Sequence, residues 1–177
     1  MATPTRYTYL ESPLGRILLA GGPGGLKAIN FQDGQGALSP AADWEPSPEG
    51  LREAAEQIGA YFAGRLRTFE LALDPGGTPF QRQVYRALQA IPYGETTSYG
   101  ALARRLGRPN AARAVGAANG RNPLPIVVPC HRVIGNDGSL TGYYGGLRIK
   151  AFLLALEGGG RASPAQTSLL QELGDAG

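Results

Sequence analysis

The chain has 177 residues, 42% of them apolar, and a formal net charge of +3. That is enough for one domain or two small ones with a real core, and no apolar run approaches the roughly 18 residues that a membrane-spanning helix needs. One cysteine and one histidine exclude an intramolecular disulfide, a Cys-x-x-Cys redox pair and the usual zinc sites, so neither a metal nor another cofactor is expected.

The N-terminal residues Met1–Ser12 hold no signal-peptide core, and a lone cysteine points to no oxidising compartment, so a cytoplasmic location is expected. Tyr7 and Tyr9 alternate with polar residues and predict a first strand. Ser12-Pro13-Leu14-Gly15 is a turn, Arg16–Ala20 a second strand, Gly21–Gly25 a second turn and Leu26–Phe31 a third strand. The pattern is a small antiparallel meander. Residues 32–48 have no periodicity and read as a loop. A helix opens at Ser47 or Pro48, with Leu51, Ala55, Ile58 and Phe62 on one face, and Gly64 ends it. Thr68–Leu73 alternates like another strand, and Asp74-Pro75-Gly76-Gly77 is the best linker. Phe80, Val84, Leu88 and Ile91 then form a helical stripe that Pro92-Tyr93-Gly94 stops.

The most informative stretch follows. Thr97 or Ser98 can cap a helix carrying Tyr99, Leu102, Ala103 and Leu106. Gly107-Arg108-Pro109-Asn110 is a tight connector, and a second helix runs from about Ala111 to Asn119. Two short helices with such a turn predict a helix-turn-helix. Ala111, Ala114, Val115 and Ala118 fall on its inner face, and Arg113, Gly116, Ala117 and Gly120 on its outer one. A smooth outer face with one long cation suits close approach to a narrow groove better than reading of base edges. The competing reading is a small-residue helix packed inside a bundle. Charge supports the first: Gly94–Arg161 holds nine Lys/Arg against three Asp/Glu, whereas Met1–Tyr93 holds eight against nine. On charge alone, scattered solubilising arginines compete.

An apolar run, Pro125-Ile126-Val127-Val128, leads into Pro129-Cys130-His131-Arg132-Val133, and a turn, Gly135-Asn136-Asp137-Gly138, follows. The only thiol and the only imidazole are neighbours, which points to a reactive cysteine. The Gly-rich end beyond Gly158 is a tail, with a short helix over Ser168–Leu173 or a frayed end as alternatives.

Tyr93-Gly94-Glu95-Thr96-Thr97-Ser98-Tyr99, Ala111-Ala112-Arg113-Ala114-Val115-Gly116, Asn122-Pro123, Pro129-Cys130-His131-Arg132-Val133-Ile134, Gly145-Gly146-Leu147 and Glu157-Gly158 occur in this order. The constellation, from about Pro79 to Gly158, resembles the methylated-DNA–protein-cysteine methyltransferases, or O6-alkylguanine-DNA alkyltransferases. The resemblance implies an α+β fold: a ribonuclease H-like N-terminal domain over residues 1–76 (a small antiparallel sheet with a helix) and a mostly helical, winged-helix-like domain over 77–158, with a tail over 159–177. It implies direct reversal of DNA damage by a monomer that binds double-stranded DNA in the minor groove, rotates out an O6-alkylguanine and takes its alkyl group, with alkylthymine as a further candidate.

Carried over by position, Cys130 is the acceptor and His131 acts on its thiol through a water. Glu157 orients that histidine, Asn122 braces the neighbouring turn, and Tyr99 hydrogen-bonds the guanine. Arg113 is the finger that fills the gap left by the extruded base. Gly116, Ala117, Arg108, Asn136 and Tyr99 complete the DNA-binding set. The Val133 and Cys130 backbone carbonyls, the Tyr143 ring and the Tyr144 amide shape the guanine pocket. Tyr144 is bulky where the family often has a small residue, which argues against large alkyl groups. Three rivals are a non-catalytic lesion sensor, which would lack the cysteine, a helix-turn-helix regulator, and a cysteine hydrolase, whose base would have to come from elsewhere.

Overall fold

A computed structural model describes residues 2–158 and Gln171. The expected helix over Ser168–Leu173 therefore lies, but for Gln171, outside the described residues. The chain divides into two units. One runs to Gly76 and takes in Pro123–Pro125; the other begins at Gly77 and resumes at Ile126 after Asn122.

In the first unit, β1 (Arg6–Ser12), β2 (Gly15–Gly22) and β3 (Gly25–Phe31) form the antiparallel meander that the alternation predicts. The first turn is built by Ser12, whose Oγ donates to Gly15 O at 2.7 Å and accepts from Leu14 N at 3.1 Å. Gly15 has a φ of 86°, and a Cβ there would collide with the Asp33 carboxylate. Ile17, Leu18, Leu19 and Ala20 are all fully buried, so β2 is the central strand with both faces covered.

Three expectations need correction here. The 32–48 stretch is not all loop: β4 (Glu45–Pro46) pairs in parallel with β1. Glu45 N to Thr5 O and Ser47 N to Tyr7 O, at 2.9 and 2.8 Å, hold its two ends, and two exposed residues leave no alternation to read. Thr68–Leu73 is not a strand. It touches the sheet at one bridge, Leu26 with Leu73, and the Gln57 side chain satisfies both backbone groups of Glu70. The helix α1 (Arg52–Phe62) buries Ala54, Ile58 and Tyr61, rather than Ala55 and Phe62. Leu51 closes a 3-10 turn, Glu49–Leu51, with three residues per turn, and this shifts the phase of the helix behind it.

In the second unit, α2 (Pro79–Gln89) opens on a capping box in which Thr78 and Gln81 satisfy each other's backbone amides. Val84, Tyr85, Leu88 and Ile91 are buried; Phe80, in the first turn, is half-buried beneath Arg108. β5 (Thr97–Ser98) leads directly into α3 (Tyr99–Arg105), with Ser98 Oγ accepting from Ala101 N at 3.1 Å. A turn through Gly107, at a φ of 70°, leads to α4 (Ala112–Gly120). The inner face of α4 is Val115, Ala118 and Asn119. Ala114, expected inside, is exposed, because Asn119 takes the buried position to serve the site below. β6 (Val133–Ile134) pairs in parallel with β5. The last helix, α5 (Leu147–Glu157), buries Ile149, Lys150, Ala151, Leu153, Leu154 and Glu157.

Candidate active site

Cys130 opens a single 3-10 turn, Cys130–Arg132, at the end of a buried apolar segment. Ile126 in that segment has a φ of 76°. For a β-branched residue this conformation costs on the order of 1–3 kcal/mol, and the surroundings hold it. Asn122 Nδ2 donates to Val128 O at 2.7 Å, and Cys130 N turns back to the same carbonyl at 2.8 Å. Asn119 Nδ2 approaches Cys130 O at 3.4 Å. Two amides from the end of α4 thus aim the cysteine, which is only 4% exposed.

His131 is fully buried and its Nε2 lies 2.7 Å from Glu157 Oε1. Glu157, the last residue of α5, also receives Arg132 Nε on Oε2 and Arg132 Nη2 on Oε1, both at 2.9 Å. Burial alone would raise this carboxyl, but the His131 and Arg132 hydrogen bonds outweigh it and hold it down at about 2. An ionised carboxylate only accepts, so Nε2 carries the ring hydrogen and Nδ1 is the basic nitrogen. Nδ1 has no protein partner among the described residues. Burial also keeps His131 below its usual range; Glu157 opposes this, and the Arg132 and Lys150 charges reinforce it.

A pH dependence follows. Glu157 falls from 4.5 to about 2 on folding, so its contribution to stability is fully present above about 4.5 and is lost as pH drops toward 2. In denaturant titrations, the gap in stability between the parent and Glu157→Gln should be widest above pH 5 and close progressively in acid.

Burial pushes the Cys130 thiol up. The Asn122 amide and the Tyr143 hydroxyl face the sulfur and oppose that rise, as does the charge on Lys150. Lys150 is completely buried, and its Nζ donates to Val133 O at 2.6 Å and Thr141 O at 2.8 Å. Burial lowers it to about 8. The Tyr99 ring lies 6.0 Å from this ammonium, and its hydroxyl donates to the same Thr141 carbonyl at 3.1 Å.

The structure therefore brings Cys130, His131, Glu157, Asn122, Tyr99, Val133 and Tyr143 into one cluster. The two carbonyls expected to shape the pocket, those of Val133 and Cys130, already accept hydrogen bonds. The Tyr144 side chain is 55% exposed. Arg113, Ala117 and Gly120 are exposed along one side of α4. A methyl group on Gly116 would meet only the Tyr99 ring, at 3.7 and 3.8 Å, so packing alone does not demand glycine. Asn136 stands beside Gly100 at the start of α3. The Arg108 guanidinium lies over the Phe80 ring. Among the described residues no group of His, Cys, Asp and Glu could hold a metal ion.

Sequence reasoning assigned no role to Arg132, Lys150 or Asn119. Lys150 carried a usable signal, being one of two lysines in an arginine-rich chain and the lone cation within Ile149–Leu156.

Comparison with known proteins decides the family. The model of the 6-O-methylguanine DNA methyltransferase DNA binding domain matches residues 79–159, and that of its ribonuclease-like domain matches residues 5–75. The chain belongs to the 6-O-methylguanine DNA methyltransferase family. A methylated-DNA–protein-cysteine methyltransferase of Methanosarcina acetivorans is 55% identical over 152 residues, covering 86% of this chain and 97% of that protein. Another, from Mycolicibacterium paratuberculosis, is 53% identical over 163 residues, covering 92% and 97%. A crystal structure of Mycobacterium tuberculosis OGT in complex with DNA is 46% identical, with a TM-score of 0.81, covering 93% of this chain and 99% of that one. The cysteine, histidine and carboxylate described above all lie within residues 79–159, the stretch that the DNA binding domain model matches.

Proposed function

We propose that this chain reverses alkylation of guanine in double-stranded DNA by taking the alkyl group from O6 onto its own Cys130, once per molecule. One observation carries the reading: the only thiol is buried beside an imidazole whose Nε2 is tied to a buried carboxylate and whose Nδ1 is open.

The chemistry follows from the atoms. Cys130 Sγ loses its proton, through a bridging water, to His131 Nδ1. The sulfur attacks the alkyl carbon; the S–C bond forms as the C–O6 bond breaks, and the electron pair leaves with guanine. Tyr99, which donates to Thr141 O in the free protein, turns its hydroxyl to the guanine ring as negative charge grows there. The product is a thioether. It has no ready leaving group, so the acceptor is consumed.

Residues 77–158 form the DNA-binding alkyltransferase unit. Helices α3 and α4 enter the minor groove, with Gly116 and Ala117 allowing close approach and Arg113 occupying the gap left by the rotated base. No helix among the described residues is long and apolar enough to cross a membrane; a cytoplasmic location suits a free thiol that must stay reduced.

Incubation with a duplex containing O6-methylguanine tests this. The expected result is guanine restored in the DNA; a lesion that is bound but left intact would make the protein a sensor instead. Arg113→Ala should slow repair of duplex DNA by roughly tenfold or more, since unstacking a base costs a few kcal/mol. Its reaction with free O6-methylguanine should stay near that of the parent. Equal loss on both substrates would make Arg113 structural.

A further inference from the structure

Arg132 adjoins the Cys–His pair, yet the reaction as written above does not use it. Its side chain is buried and every edge of the guanidinium is occupied. Nε and Nη2 form a two-pronged pair with Glu157, both at 2.9 Å, and Nη1 donates to Ile91 O at 2.6 Å. The Tyr93 ring lies 5.7 Å from Cζ. Such a fork holds a carboxylate in one plane, which a single imidazole hydrogen bond does not.

The charge matters as much as the geometry. A lone buried carboxylate 2.7 Å from Nε2 would orient the ring and also draw a second proton onto it. A histidine already carrying that proton cannot take one from the thiol. The Arg132 cation on the same carboxylate weakens the second effect and leaves the first intact.

We propose that Arg132 is a positioning residue: it makes Glu157 an oriented, charge-compensated acceptor, so that His131 rests as the neutral imidazole with Nδ1 open to the thiol proton. The proposal deepens the alkyl-transfer reading and rests on it for its catalytic meaning. The charged and titratable groups facing the ring are Glu157 and Lys150 from α5, with Arg132 from its own turn. Burial is the largest influence keeping the ring neutral, and Arg132 and Lys150 act in the same direction. The Arg132 share is what a substitution removes.

The chain has a single histidine, so its imidazole NMR signals report His131 without ambiguity. In Arg132→Gln the ring should titrate about one pH unit or more above the parent, and the acid limb of the transfer rate should move up with it. Arg132→Lys keeps the cation and loses the fork; its ring should titrate with the parent, while its plateau rate falls roughly tenfold. A folded Arg132→Gln whose ring titrates with the parent overturns the proposal. So does an Arg132→Lys protein with the parental plateau rate, which decides the matter if the glutamine variant does not fold. The ring titration uses no substrate, so its outcome is separate from the failure of Cys130 to become alkylated at all, which would overturn the underlying reading.

Discussion

Cys130→Ala should take up no alkyl group from O6-methylguanine DNA while still binding it. No other residue can substitute, because the chain has no second cysteine and the activating imidazole is anchored beside this one. The thiol is 4% exposed and held by the turn rather than holding it, so the loss of one sulfur should cost about 1 kcal/mol of stability. The exposed side of α4, with Arg113, Ala117 and Gly120, is untouched. Electrophoretic or fluorescence binding to the lesion duplex should therefore match the parent, alongside complete loss of transfer. Residual transfer in this variant would place the acceptor elsewhere.

Glu157→Gln should slow transfer by about 10²–10⁴-fold, the share usually supplied by general acid–base catalysis. The carboxylate accepts from His131 Nε2 and from Arg132 at Nε and Nη2. An amide of the same shape has one accepting oxygen and one donating nitrogen. Whichever way it turns, its nitrogen faces a donor. If the nitrogen takes the place of Oε1, it faces Nε2 and Arg132 Nη2 together; the ring relieves its clash by moving its hydrogen to Nδ1, and the thiol then has no base. If it takes the place of Oε2, it faces Arg132 Nε, and the ring keeps its tautomer. In both cases a buried guanidinium loses part of its partner, and removing one member of a buried ion pair typically costs about 3–5 kcal/mol. Single-turnover rates and denaturation midpoints measured together separate these outcomes: an unstable protein that is also strongly slowed indicates the tautomer switch, and an unstable one that is little slowed indicates the stranded arginine alone.

What could be read from the sequence follows a physical division. The β1–β3 meander was legible because its turns are Gly- and Pro-marked, and α2 because Phe80, Val84, Leu88 and Ile91 recur at helical spacing. Cys130 and His131 were legible because each is unique. Glu157 was not legible from pattern: it stands 26 residues from His131 and reads as an ordinary helix end, and only the family resemblance picked it out. Arg132 and Lys150 were missed for a related reason. Both look like surface charges, and only folding shows that one is clasped by Glu157 and Ile91 O and the other capped by two carbonyls. The short β4 and the non-strand at Thr68–Leu73 depend on backbone hydrogen bonds that side-chain alternation does not encode. Ala114 was misplaced because a polar residue, Asn119, outranks an alanine for burial when it has a partner such as Cys130 O.

The most direct measurement is the stoichiometry of alkylation. The parent protein is mixed with an excess of O6-methylguanine duplex, and its peptides are mapped by mass spectrometry over time. The expected result is one methyl group per chain, on the peptide bearing Cys130, after which transfer stops while unrepaired DNA remains. Continued turnover beyond one equivalent, or methylation elsewhere with Cys130 unmodified, would contradict the account.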